Sequence, residues 1–306
     1  MQRPFLLPVR LLKVASIRSS LLRVVVRALA VLAVAAMVVW TAAVGFLWWN
    51  ETRIVFRTDN TLRRIIPLDP SFKPAEIVGD RGIHLEAVTL ERSGPEDDRY
   101  WILFSNGSAQ SIYRDRVQDQ LQQLHGLGYN VLAFDYRGFG RSPGTPTEAG
   151  LYADALASYE YLTVSRHVPA SKVILAGRSL GSAVAVELGT RVGSAGLLLL
   201  SPIDSIPLMG ERIYPWVPVR FLASNRFDSL AKAGRVRAPA VVVHALNDRF
   251  VPISAARAVF AQLGGPKLML ETGGGHNDAG FSPLSELRDA LDSFWPSPGF
   301  TGEGDQ

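Results

Sequence analysis

An α/β fold, with a mostly parallel sheet and helices on both faces, is the class that this 306-residue chain predicts. Three observations lead there. From about residue 80 to 297, short apolar runs alternate with stretches of helical spacing, the pattern of strands joined by crossover helices. One run, Val173-Ile174-Leu175-Ala176, leads straight into Gly177-Arg178-Ser179-Leu180-Gly181, a serine set between glycines where a strand passes into a helix. An acid and a histidine then follow at the ends of later strands, Asp248 after Val241-Val242-Val243 and His276 after Leu268-Met269-Leu270.

The first element in chain order is not part of that domain. Ala28 to Trp49 carries no charge over 22 residues. As a helix it would be about 33 Å long at ~1.5 Å per residue, enough for a hydrocarbon core of ~30 Å. Arg3, Arg10, Lys13, Arg18, Arg23 and Arg27 precede it with no acid, and Trp48 and Trp49 stand at its far end. The spacing predicts a transmembrane helix with a cytoplasmic N-terminus and the following domain across the membrane. A cleaved signal peptide, with Ala42 and Ala43 near the cleavage point, is the competing reading. The length of the apolar run and of the basic segment argues against it. Arg53, Arg57, Arg63 and Arg64 beyond the span reduce the charge asymmetry without reversing it. Pro67, Pro70 and Pro74 predict an extended connector over 50–78.

In the domain, Ile83, Leu85, Ala87 and Thr89 alternate as a half-exposed strand, while Trp101 to Phe104 and Val131 to Phe134 read as buried strands. Val117, Leu121, Leu124 and Leu127 recur at helical spacing, closed by Gly126 and Gly128, and Ala149 to Leu162 forms the next helix. After the Val173 strand and its helix come the strand Leu197 to Leu200, the Val241 strand, a helix over Ile253 to Leu263, the Leu268 strand and a last helix from about Leu284 to Phe294. Residues 203–238 interrupt the alternation with apolar and aromatic residues punctuated by prolines. They read as a small cap over the carboxyl end of the sheet, with Tyr214, Trp216 and Phe221 as candidate pocket residues. The expected organisation is therefore a basic segment (1–27), a membrane helix (28–49), a connector (50–78), one α/β domain (79–297) with its cap, and a tail (298–306).

A serine hydroxyl is a weak nucleophile at neutral pH. It needs a histidine to accept its proton and a carboxylate to hold that histidine in one tautomer. Ser179, His276 and Asp248 are the candidates, with Asp204 and Asp228 competing for the acid role but lacking a preceding strand. Gly177 and Gly181 supply the small neighbours that a sharp turn requires. An oxyanion would need backbone N–H donors: Leu180, directly after the serine, and Gly107 or Ser108 in the loop after the Trp101 strand. His84, His125, His167 and His244 read as surface or structural residues, and no pair of them has metal-ligand spacing.

In these features the chain resembles the α/β-hydrolase superfamily over roughly residues 80 to 297. Within it, the chain is similar to membrane-anchored serine hydrolases grouped with serine aminopeptidase-like and acyl-protein-thioesterase-like proteins. The order Ser, Asp, His is shared. So are the elbow Gly177-Arg178-Ser179-Leu180-Gly181 and the loop Asp135-Tyr136-Arg137-Gly138-Phe139-Gly140-Arg141-Ser142-Pro143-Gly144. The resemblance implies hydrolysis of esters, thioesters or amides through an acyl-enzyme, with no metal or organic cofactor. One departure stands out: where the subgroup commonly has His-Gly-Asn, this chain has Ser105-Asn106-Gly107.

Composition narrows the partners. The net charge of +4 is concentrated at the N-terminus: residues 1–57 hold eight Lys/Arg and one acid, leaving 24 basic and 27 acidic residues beyond. The domain has no basic stripe interleaved with aromatics, so nucleic acid is not an expected partner. The expected ones are a membrane and an acyl-containing small molecule, lipid or acylated protein. With no cysteine, disulfides, thiolate catalysis and S-acyl anchoring are excluded. An amidase or peptidase of the same fold, or a silent scaffold or binding module, are the rival functions.

Overall fold

The computed structural model describes residues 9–61, 65–92, 99–279, 281 and 283–296, with side chains from Leu21 onward. Arg63, Arg64 and the tail from 298 lie outside the described residues. The chain divides after Asn50 into two units. The first is built on one helix, α1 (Val9–Trp49), whose stretch Leu21–Trp49 is long and apolar enough to cross a membrane. It begins well before Ala28 because no glycine or proline interrupts residues 9–44. Arg23 and Arg27 therefore sit on the helix itself. Every side chain from Leu21 to Trp40 is exposed.

The second unit is an eight-stranded sheet: β1 (Lys73–Val78), β2 (His84–Leu90), β3 (Trp101–Ser105), β4 (Asn130–Phe134), β5 (Val173–Arg178), β6 (Gly196–Leu200), β7 (Ala240–Ala245) and β8 (Lys267–Thr272). Its order is β1-β2-β4-β3-β5-β6-β7-β8. The first two pairings are antiparallel and all others parallel. After α2 (Glu51–Phe56), the helices are α3 (Asp115–Gly126), α4 (Glu148–Glu160), α5 (Leu180–Gly189), α6 (Ile206–Ile213), α7 (Val219–Leu222), α8 (Ser229–Ala233), α9 (Ile253–Gln262) and α10 (Leu284–Asp292). Strand alternation sends Val173 and Leu175 into one apolar cluster with residues of α4, α5 and α9. Ile174 and Ala176 enter a second cluster with α3 and α10. The sheet is thus covered on both faces, as its apolar strands require.

Segment 51–78 departs from the expected extended connector. It carries α2 and, at its end, β1, which pairs in register from Lys73↔Thr89 to Val78↔His84. Pro74 is tolerated because β1 is an edge strand, where a missing N–H costs no ladder bond. With β1 on one side and β4 on the other, β2 is more buried than its alternation predicts: Val88, Thr89 and Leu90 are all buried. Phe56, at the end of α2, is fully buried edge-on to Phe139 at 6.3 Å and Phe227 at 6.0 Å between ring centroids. Phe56→Ala is therefore expected to destabilise this unit by about 3–5 kcal/mol, read from denaturant unfolding of the full chain. A loss below 1 kcal/mol would mean that α2 contributes little to the core.

Candidate active site

The sheet sets several loops at one edge. Loops after β3, β5, β7 and β8 all leave from the carboxyl ends of parallel strands, beside the point where strand order reverses from β4-β3 to β3-β5. Ser179 follows β5 and adopts φ 50°, ψ −116°. That conformation is strained for a side-chain-bearing residue, by roughly 1–3 kcal/mol, and is held by the Ser179 N–H donating to the Leu200 carbonyl at 2.9 Å. The flanking glycines are steric necessities. A Cβ on Gly177 would lie 2.0 Å from the Gly181 carbonyl oxygen, and one on Gly181 would lie 2.0 Å from that of Ser105.

After β7, Asp248 turns its carboxylate inward with its side chain buried. One oxygen, Oδ1, accepts the Phe250 and Val251 N–H groups at 2.8 and 2.9 Å. The other, Oδ2, accepts from His276 Nδ1 at 2.6 Å. Burial alone would raise the Asp248 carboxyl; the His276 hydrogen bond and those two N–H donors outweigh it and hold the group below its usual range. A carboxylate only accepts, so Nδ1 carries the proton and Nε2 is left with a lone pair. The competing acids are occupied elsewhere: Asp204 pairs with Arg212, and Asp228 caps α8 by accepting from Ala231 N–H at 3.0 Å.

Ser179 and His276 line one cavity of about 600 Å³ together with Leu180, Gly107 and Ser108. Gly107 presses against the elbow: a Cβ there would lie 3.4 Å from that of Ser179. The Ser108 hydroxyl turns away and donates to the Val55 carbonyl at 2.7 Å. Among the candidate pocket residues only Tyr214 lines the cavity. Trp216 is half-exposed, with its ring edge-on to Tyr214, and Phe221 is 86% exposed on the single turn of α7. The aromatic content of the cap suggests all three; Phe221 stands on a one-turn helix that buries too little of its surface to turn it inward. Among the described residues no group of His, Asp and Glu side chains is placed to hold a metal.

Several supporting residues escaped the sequence reading. α2 straps the site: Glu51 accepts from Asn225 N–H of the cap at 2.7 Å, while Phe56 O accepts the Ala109 N–H at 3.0 Å. Asp135 braces the loop after β3, accepting from Ser111 Oγ at 2.5 Å and Ile112 N–H at 2.9 Å. Gly140 folds over it at φ 52°, where a Cβ would collide with the carboxylate. His244, which the sequence reads as surface or structural, is structural: in β7 and fully buried, it donates Nε2–H to the Val251 carbonyl at 3.0 Å and lies 3.6 Å from Asp248 Oδ2. Phe250 flanks His276 at 5.6 Å between rings. Arg178 is buried beneath the site, 5.5 Å from the Phe281 ring; burial pushes its guanidinium down to about 10.

Asp135 makes a pH prediction. Burial raises its carboxyl to about 7, against the lowering effect of Ser111 and Ile112. The folded protein therefore binds more protons than the unfolded chain between about pH 4 and 7. That contribution is complete below about pH 4 and is lost as pH rises through about 7. Asp135→Asn, which cannot ionise, is expected to flatten this dependence. In urea melts at pH 5 and pH 8, the stability difference between the two pH values should shrink by on the order of 2 kcal/mol relative to wild type. An unchanged difference would place the titration elsewhere.

The fold agrees with similarity to known proteins. A family model described as serine aminopeptidase, S33, matches residues 98–230. An uncharacterized protein of Mycobacterium tuberculosis is 32% identical over 283 residues, covering 90% of this chain and 98% of that one. The chain belongs to the α/β-hydrolase superfamily. Human alpha/beta hydrolase domain-containing protein 17B is 31% identical over 187 residues, which span 59% of this chain and 61% of that protein. Among solved structures, the Pyrococcus furiosus esterase Pf2001 superposes with a TM-score of 0.63 at 19% identity, over 76% of this chain and 98% of that one. At that identity the likeness is one of fold.

Proposed function

We propose that this α/β-hydrolase is a membrane-anchored serine hydrolase that cleaves acyl esters or thioesters. The observation that carries the reading is His276 Nδ1 hydrogen-bonded to the buried Asp248 carboxylate, with His276 and Ser179 lining one cavity. In the proposed reaction, Ser179 Oγ attacks the acyl carbonyl while His276 Nε2 takes its proton. The tetrahedral oxyanion receives N–H bonds from Leu180 and from Gly107 or Ser108. His276 returns the proton to the leaving alcohol or thiol as the carbonyl–leaving-group bond breaks. Water then attacks the acyl-enzyme by the same route, releasing the acid and restoring Ser179.

The apolar wall of the cavity, built from Ile203, Ile206, Met209 and Ile213, suits an acyl chain. The apolar stretch of α1 supports anchoring to a membrane, and the basic residues before it support a cytoplasmic N-terminus with the hydrolase unit across the membrane. A phosphatase reporter fused after Gln306 should be active only outside the cytoplasm; activity confined to the cytoplasm would reverse this orientation. The test of the chemistry is fluorophosphonate labelling of the full chain in neutral-lipid nanodiscs, followed by turnover of matched octanoyl esters, thioesters and amides. Labelling with ester or thioester turnover above amide turnover is expected. Faster amide turnover would make the protein an amidase, and a folded protein that neither labels nor turns over any substrate would be a binding module.

A further inference from the structure

The cavity at Ser179 is chemically mixed. α6 and the loops after β6 and β7 give it apolar residues, among them Ile206, Met209, Ile213 and Phe250. The end of α2, the turn after it and the residue before α3 contribute Arg57, Asn60 and Arg114 beside the apolar Ile54 and Val55. No Asp or Glu is among the described residues that line it.

Some arginines of this unit are charge-paired, among them Arg212 with Asp204, Arg220 with Glu211 and Arg137 with Asp154. Among the described residues no carboxylate pairs with Arg57, which stands exposed just beyond buried Phe56. Its backbone is left-handed, φ 51°. Its place is fixed by two bonds from the loop after β3, the Ser108 hydroxyl to Val55 O and the Ala109 N–H to Phe56 O. The same loop carries Gly107 against Ser179. Arg57 is therefore held one residue from a segment that touches the elbow, rather than waving from a distant surface. Arg114 donates from Nη1 to the Asn60 carbonyl at 3.1 Å, which ties the two basic positions into one wall.

We propose that the substrate is an anionic amphiphile: an acyl chain in ester or thioester linkage to a leaving group that bears a phosphate. The acyl chain would lie along α6, and the phosphate would meet Arg57 and Arg114 across the scissile carbonyl. This inference rests on the hydrolase reading above and narrows its substrate. A guanidinium recognises a phosphate through charge-assisted, bidentate hydrogen bonds. Placing that contact on the leaving-group side aligns the carbonyl without touching the acyl pocket. The phosphate has two sources, a glycerophospholipid headgroup or a soluble phosphate-bearing thiol carrier.

The experiment uses the full chain in neutral-lipid nanodiscs and two matched pairs below their micellar concentrations. One pair is 1-octanoylglycerol 3-phosphate against 1-octanoylglycerol; the other is octanoyl pantetheine 4′-phosphate against octanoyl pantetheine. In at least one pair, kcat/KM should favour the phosphate by about tenfold or more, and the preferred pair identifies the source. Arg57→Gln should remove most of that ratio, Arg57→Glu should invert it, and added salt should compress it. Equal turnover within both pairs, or a ratio indifferent to Arg57→Glu, would overturn the proposal while leaving the hydrolase reading intact. If no ester is turned over and no probe label appears, the hydrolase reading fails instead. Binding of decyl phosphate, compared with decanol, then decides the anionic site: binding lost in Arg57→Glu supports it, and Arg57-independent binding sinks it.

Discussion

Ser179→Ala is expected to abolish both fluorophosphonate labelling and ester turnover, lowering kcat by on the order of 10⁵-fold or more while the fold persists. The direction follows from the chemistry proposed for this site: alanine has no nucleophile, and His276 then has no hydroxyl to activate. Persistence of the fold follows from the local geometry. Alanine keeps the Cβ, and the contact that holds the strained turn is the Ser179 N–H to Leu200 O bond, which the substitution does not touch. Mass spectrometry of the labelled protein and near-UV circular dichroism read the two outcomes separately. Labelling retained in a folded Ser179→Ala protein would assign the nucleophile to another residue.

Asp248→Asn is the second large effect, a loss of about 10³–10⁴-fold in kcat with little change in KM. The carboxylate accepts from His276 Nδ1 and so dictates which ring nitrogen keeps a lone pair. An asparagine can still accept the Phe250 and Val251 N–H groups through its oxygen, which would turn its NH₂ group toward His276. Nδ1 would then become the acceptor and Nε2 the protonated nitrogen, the wrong tautomer for taking a proton from Ser179. The carboxylate also stabilises the imidazolium formed during attack, and a neutral amide does not. Imidazole nitrogen shifts by NMR would report the tautomer directly. Wild-type activity in Asp248→Asn would pass the orienting role to another acid.

The parts of this chain that were legible in its sequence are those whose physics is local. Apolar runs such as Val241-Val242-Val243 declare buried strands because strand alternation and the exclusion of charge operate within a few residues. The 22-residue uncharged stretch declares a helix able to span a bilayer by length and composition alone. Gly177 and Gly181 are demanded by a turn that leaves 2.0 Å where a Cβ would stand, and a serine between them at a strand end is visible as a pattern. Asp248 and His276 were picked out in the same way, from their places after β7 and β8.

What only the tertiary structure decided depends on partners far apart in sequence. Residues 51–78 read as a proline-broken connector because nothing within them shows that β2 offers an edge for β1, or that Phe139 and Phe227 surround Phe56. The aromatic residues of the cap could not be sorted by composition, since the direction in which Tyr214 and Phe221 point is set by the lengths of α6 and α7 and their packing. Asp135 reads as one member of a loop motif, and its work of bracing Ser111 and Ile112 appears only when those residues arrive from 24 and 23 positions away. The mixed lining of the cavity, apolar and basic, is of the same kind. Arg57 and Ile206 are separated by most of the domain in sequence, and they face a common space only because the sheet brings the ends of its strands together under one strap and one cap.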